Sequence, residues 1–191
     1  MYVSSIRRLA LVLCLPTLCV FASCGYSTRQ AESMPGGYRR VYVPNAIDAG
    51  FDVGSANTLT RVFRALVQGS TVIEHVSAKD AEIVAELKIE NTTDAPGVSG
   101  NPAPLAPGQT ASYAVPKFAM VMAGTLRLYD ASGGIVWQSG SVSVSEDYLS
   151  GQTQDNTNAV LRVTEDNRRR ALERCADDLA RLLYTKMLES F

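Results

Sequence analysis

Ala81-Glu82-Ile83-Val84-Ala85-Glu86-Leu87-Lys88-Ile89-Glu90 alternates two kinds of side chain. Ile83, Ala85, Leu87 and Ile89 fall on one side of an extended chain. Glu82, Glu86, Lys88 and Glu90 fall on the other, with Val84 among them. Successive Cβ atoms along a strand point to opposite faces, so the run from Asp80 to Glu90 reads as a strand with one buried and one wet face. A sheet with one apolar face needs a covering layer, and the flanking sequence supplies two helices.

Upstream, Arg40-Val41-Tyr42-Val43-Pro44 reads as a short strand closed by a proline, which brings no N–H to a ladder. Ser55 offers an N-cap, and Leu59, Val62, Phe63, Leu66 and Val67 recur at helical spacing until Gly69 stops the helix. Thr71 to Val76 is a short β segment, taken as the lead-in to the alternating strand. Downstream, residues 94–109 read Asp-Ala-Pro-Gly-Val-Ser-Gly-Asn-Pro-Ala-Pro-Leu-Ala-Pro-Gly-Gln. This is a long Pro- and Gly-rich loop, a kind that in compact domains is uncommon and is often functional or disordered. A strand from Thr110 to Tyr129, a turn at Asp130-Ala131-Ser132-Gly133-Gly134 and a returning strand from Ile135 to Tyr148 follow. After a polar loop, a helix from Asn158 to Glu189 carries the apolar stripe Leu172, Cys175, Ala176, Leu179, Leu182, Leu183 and Met187. The order β-α-β-β-β-α predicts one α+β domain over 39–191, a mixed four-stranded sheet with two helices packed on one face.

The start of the chain predicts export. Arg7 and Arg8 precede an uncharged, mainly apolar run from Leu9 to Phe21, interrupted by Thr17, too short to span a membrane and the usual length for a signal-peptide core. The run ends Phe21-Ala22-Ser23-Cys24-Gly25, which resembles a bacterial lipobox. The resemblance implies a signal peptide over 1–23, cleavage between Ser23 and Cys24, and a diacylglycerol thioether on Cys24. Several acyl chains anchor a protein stably to a membrane. An Asp after the lipidated Cys is the inner-membrane retention signal of that pattern, so Gly25 implies the outer membrane. Residues 24–38, polar and containing Gly36-Gly37, read as the tether.

Without Arg7 and Arg8, the 18 basic residues fall to 16 against 19 acidic ones, a net charge of −3 that gives no reason to expect a nucleic-acid partner. Cys14 and Cys19 leave with the leader and Cys24 is acylated, so Cys175 stands alone, on the apolar face of a helix, as a small buried hydrophobe. No cysteine and histidine spacing suggests a metal site or cofactor. His75, the single histidine, lacks the partners of a catalytic base and is expected to face solvent or to be capped. No phosphate-binding glycine motif occurs. Arg168-Arg169-Arg170, flanked by Glu165, Asp166 and Glu173, reads as a solvated helix face with i,i+4 pairing. The residues therefore point to a non-enzyme.

Several pieces in order carry a family resemblance: Cys24-Gly25-Tyr26, Val43-Pro44-Asn45 before an amphipathic helix, Gly108-Gln109-Thr110-Ala111-Ser112-Tyr113, and Leu126-Arg127-Leu128-Tyr129-Asp130 followed by Gly134-Ile135-Val136-Trp137. With the long closing helix, the mature chain resembles the LPS-assembly lipoprotein family LptE. The resemblance implies a plug inside the outer-membrane β-barrel LptD that helps the barrel assemble and helps lipopolysaccharide reach the surface. It implies lipopolysaccharide contact through basic residues near loop ends, for which Lys117 and Arg127 stand here. The loop, uncharged apart from Asp94, suits a barrel lumen, since it would strand no buried charge there beyond that residue. Val98, Leu105 and Gln109 are its expected partner contacts. The alternative is another outer-membrane lipoprotein, an activator of a cell-wall synthase or one with a curli-secretion-type role.

Overall fold

The alternating segment is the centre of the sheet. The computed structural model describes residues 34–49, 53–96, 117–150 and 157–189, all within one unit, Ser33–Phe191. The elements are β1 Arg40–Tyr42, β2 Ile47–Asp48, α1 Val53–Gly69, β3 Glu74–His75, β4 Ile83–Pro96, β5 Lys117–Asp130, β6 Ile135–Gln138, β7 Val142–Leu149 and α2 Thr157–Glu189, with a 3-10 turn at Pro35–Gly37. The sheet is mixed. β1 and β2 run parallel to β4, β3 runs parallel to β1, and β5 is antiparallel to β4, β6 and β7.

The expected α+β class holds, but the sheet has seven strands rather than four. Two physical interruptions account for part of the difference. Pro44 ends β1 after three residues, and the same edge of β4 is taken up again by β2, where Ile47 pairs with Lys88. The returning strand expected over 135–148 is split at Ser139-Gly140-Ser141, where Gly140 takes φ 69 and breaks the ladder, so β6 and β7 pair separately with β5. The lead-in at 71–76 is a strand in its own right, β3, on the outer edge of β1.

β4 also runs past its expected end at Glu90. It continues to Pro96, whose register partner is Phe118, so Asp94 to Pro96 are strand rather than loop. This extension contains a β-bulge between Ile89 and Asn91. A bulge places two residues opposite one and reverses which side chains point inward. Ile89 lies opposite Gly124 and Thr92 opposite Met122, so beyond the bulge Asp94, opposite Met120, joins the helix-facing side.

Ile83, Ala85, Leu87 and Ile89 are fully buried, as are Met120, Met122, Leu126 and Leu128 of β5. They form one core with Leu59, Val62, Phe63 and Val67 of α1 and with Leu172, Cys175, Leu179, Leu183 and Met187 of α2. Leu182, expected in the stripe, is 36% exposed. The helices touch through Phe63 and Tyr184, edge to face with ring centroids 6.0 Å apart. The link from β1 to α1 is bonded to the helix. Arg64 donates to the Val43 carbonyl through Nε at 2.9 Å and through its terminal nitrogen at 2.7 Å, and the Thr60 hydroxyl accepts from Ala46 N–H at 2.8 Å. Met34 and Pro35 are buried, and Tyr38 packs against the core.

Candidate functional site

The residues expected to carry the lipid, Ser23 and Cys24, and the expected partner contacts Val98, Leu105 and Gln109 lie outside the described residues. The structure shows the sheet end from which residues 97–116 depart: Pro96 of β4, Phe118 of β5 and Tyr148 of β7, aligned side by side. Phe118 and Tyr148 stack, with centroids 5.5 Å apart and planes 21° apart.

One carboxylate organises this end. Asp94 accepts from the Tyr148 hydroxyl at 3.0 Å with one oxygen and from Arg168 Nε at 2.9 Å with the other. The phase reversal at the bulge is what aims Asp94 at α2. Burial, then the Asp94 carboxylate, pushes the Tyr148 phenol up to about 12, so it stays protonated and donates. To the expected solvated helix face of the arginine run the structure adds a long-range contact. Arg168 crosses to a strand 74 positions away, and Arg169 pairs with Asp166 at i,i+3. A local reading of charge spacing cannot see a partner that the fold brings from elsewhere. A signal was nevertheless present: between Glu90 and Lys117, Asp94 is the single charged residue.

Lys117 and Arg127 are both on β5 but not together. They stand ten residues apart, about 33 Å along a strand of ordinary rise. Lys117 is half-exposed beside Asp147, Nζ to carboxylate 2.6 Å. It lines a cleft of about 220 Å³ with Asp147, Tyr148, Asn167, Arg170 and Arg174. Arg127 sits at the far end, opposite Glu86 and Gln138 in register, and its Nε has no hydrogen-bond partner among the described residues. The Glu86 carboxylate there accepts instead from the Tyr129 hydroxyl at 3.2 Å. The structure therefore assembles three cations, Lys117, Arg170 and Arg174, around the first position and leaves Arg127 apart from them.

Cys175 is fully buried against the Met120 carbonyl, 3.5 Å from Sγ. His75 is half-buried rather than solvent-facing, and its Nε2 has no partner among the described residues. Among the described residues no group of three or more His, Cys, Asp and Glu could hold a metal ion. No described helix is long and apolar enough to cross a membrane.

The family described as "LptE: Lipopolysaccharide-assembly" matches residues 38–187. No curated protein matches. Among solved structures, the chain is similar to a minor lipoprotein from Acinetobacter baumannii, at 12% identity over 78% of this chain and 90% of that one, TM-score 0.46. It is similar to rare lipoprotein B from Shewanella oneidensis, at 12% identity over 78% and 93%, TM-score 0.45. It is also similar to lipoprotein B from Nitrosomonas europaea, at 16% identity over 82% and 84%, TM-score 0.43. The family match carries the assignment.

Proposed function

From the premise that this chain belongs to the LptE lipopolysaccharide-assembly family, we propose that it is a non-enzymatic, lipid-anchored plug and assembly partner of an LptD-like β-barrel in the outer membrane. The supporting observation is the family match across 38–187, nearly the whole mature chain. In this reading, residues 1–23 are removed as a signal peptide, Cys24 carries the lipid, and the expected tether over 24–38 ends before Met34, because Met34 and Pro35 are buried and Tyr38 packs on the core; the domain that enters the barrel or faces the periplasm then starts there rather than at 39. The segment after Pro96 is the part that meets the barrel, through Val98, Leu105 and Gln109. Four prolines between 96 and 107 restrict its unfolded conformations and so reduce the ordering cost on contact.

Of the two basic residues assigned to lipopolysaccharide, Lys117 has the surroundings that suit a phosphorylated lipid, because Arg170 and Arg174 line the same cleft with one opposing carboxylate, Asp147. Arg127, at the other end of β5 and opposite Glu86, has not.

Photo-crosslinkers at Val98 and Leu105 in living cells test the partnership. Capture of a large β-barrel from both positions is expected. Capture of a cell-wall synthase instead would favour the other class of lipoprotein, and no capture from either position, together with normal barrel assembly when 97–109 is shortened, would reduce the segment to a connector.

A further inference from the structure

The two halves of α2 are held differently. From Ala171 onward successive turns enter the core through Ala171, Leu172, Cys175, Ala176, Leu179, Ala180, Leu183 and Met187. From Val163 to Arg170 no residue is buried, and Val163 is 49% exposed. A helical stretch without buried apolar contacts has low local stability, and its direction is set by polar contacts. Two of these reach the sheet end. Asn167 Nδ2 donates to the Leu149 carbonyl at 2.9 Å, and Arg168 Nε donates to Asp94 at 2.9 Å.

Asp94 is itself fixed from another side by Tyr148, which is held by its stack on Phe118. One carboxylate thus joins β4, β7 and the 163–170 stretch of α2, ahead of the buried turns that begin at Ala171. The Arg168 and Asp94 side chains keep 29% and 34% of their exposure. Ion pairs this wet contribute little to global stability. A guanidinium bonded to a carboxylate is nevertheless strongly directional. What this contact contributes is geometry.

We propose that Asp94 is a positioning residue. Its bonds to Arg168 and Tyr148 set the direction of the first half of α2 against the sheet end formed by Pro96, Lys117 and Leu149, and that arrangement is needed for productive engagement of the barrel. The last clause rests on the plug reading; the positioning of the helix does not.

The test uses the full-length acylated protein and the charge reversals Asp94→Arg and Arg168→Asp, singly and combined, with Tyr148→Phe as a milder variant that keeps the stack. Hydrogen exchange follows α2, a thermal melt follows the whole domain, and the amount of barrel co-purified from cells follows function. Each single reversal should speed exchange over 163–170 by roughly threefold or more while 171–189 stays unchanged. The melting temperature should move by no more than about 4 °C, barrel recovery should drop, and the combined reversal should restore both exchange and recovery. Tyr148→Phe should produce a smaller change in the same segment. Unchanged exchange over 163–170 in both single reversals overturns the positioning role. Barrel recovery that falls only together with a melting loss and faster exchange throughout α2 also overturns it, because the contact is then plainly structural. If the wild-type protein brings down no barrel, the plug reading fails, and the exchange result still decides whether Asp94 directs the helix.

Discussion

Leu179 on α2 lies so close to Gly124 on β5 that a Cβ at position 124 would stand 2.9 Å from the Leu179 Cδ2 and 2.7 Å from the Lys88 carbonyl oxygen. The absent side chain is what lets the helix settle on the strand pair β4–β5. Gly124→Ala should therefore destabilise the domain by about 1–3 kcal/mol through overpacking, and Leu179→Ala by about 2–5 kcal/mol through the cavity it leaves. Because the two positions touch, the double variant should be more stable than the sum of the single effects implies. Chemical denaturation of all four proteins measures this, and strict additivity would show that the contact is not made.

Glu82 gives the domain a defined acid response. Its carboxylate accepts from the backbone N–H of Arg39 at 3.0 Å and of Arg40 at 3.2 Å, and pairs with the Arg40 guanidinium at 3.1 Å. The two backbone bonds, followed by the Arg40 side chain, hold its pKa below the ordinary 4.5. A carboxyl depressed in the folded state contributes stability above its unfolded pKa, and this contribution is lost as pH falls through the folded value. Melting temperature followed from neutral pH to below 4.5 should drop on the acid side, and less steeply in Glu82→Gln, which should also melt lower at pH 7. Parallel acid limbs in the two proteins would show that Glu82 is not linked to folding.

The Cys175 thiol should be inert. Burial first, and the Glu146 carboxylate second, push it up to about 11, so almost no thiolate exists at neutral pH and no path leads to it. In the mature native protein a thiol-alkylating reagent should label Cys175 only after denaturant is added. Rapid labelling without denaturant would mean that the α2–β5 interface opens freely.

Mass spectrometry of the mature protein should find a new N-terminus at Cys24 bearing diacylglycerol, and Cys24→Ala should accumulate an uncleaved precursor. A mature chain without acyl groups at Cys24 would remove the anchor from the proposed function.

The legible parts of the fold were those written in local periodicity. Ile83, Ala85, Leu87 and Ile89 turn inward together because a strand repeats every two residues, and Phe63, Leu172, Leu179 and Met187 turn inward because a helix repeats every 3.6. The basic n-region with its apolar run needs no tertiary context to be read, since length and composition are all that a signal peptide presents. Nothing local said that β4 would bulge between Ile89 and Asn91 and continue to Pro96, because a bulge is a property of two paired strands. That single inserted residue decides which face Asp94 occupies, and so whether the one charged residue between Glu90 and Lys117 ends in solvent or against Arg168. The sequence by itself determined the period of each element and the apolar face it must bury, and it carries the expectation of export. Only the tertiary structure decided the phase of β4 beyond Glu90, the division of the last strand at Gly140, and the pairing of charges 74 positions apart. The physical reason is that amphipathic period is set by neighbours along the chain, while register and ion pairing are set by whichever distant segment the folded sheet brings alongside.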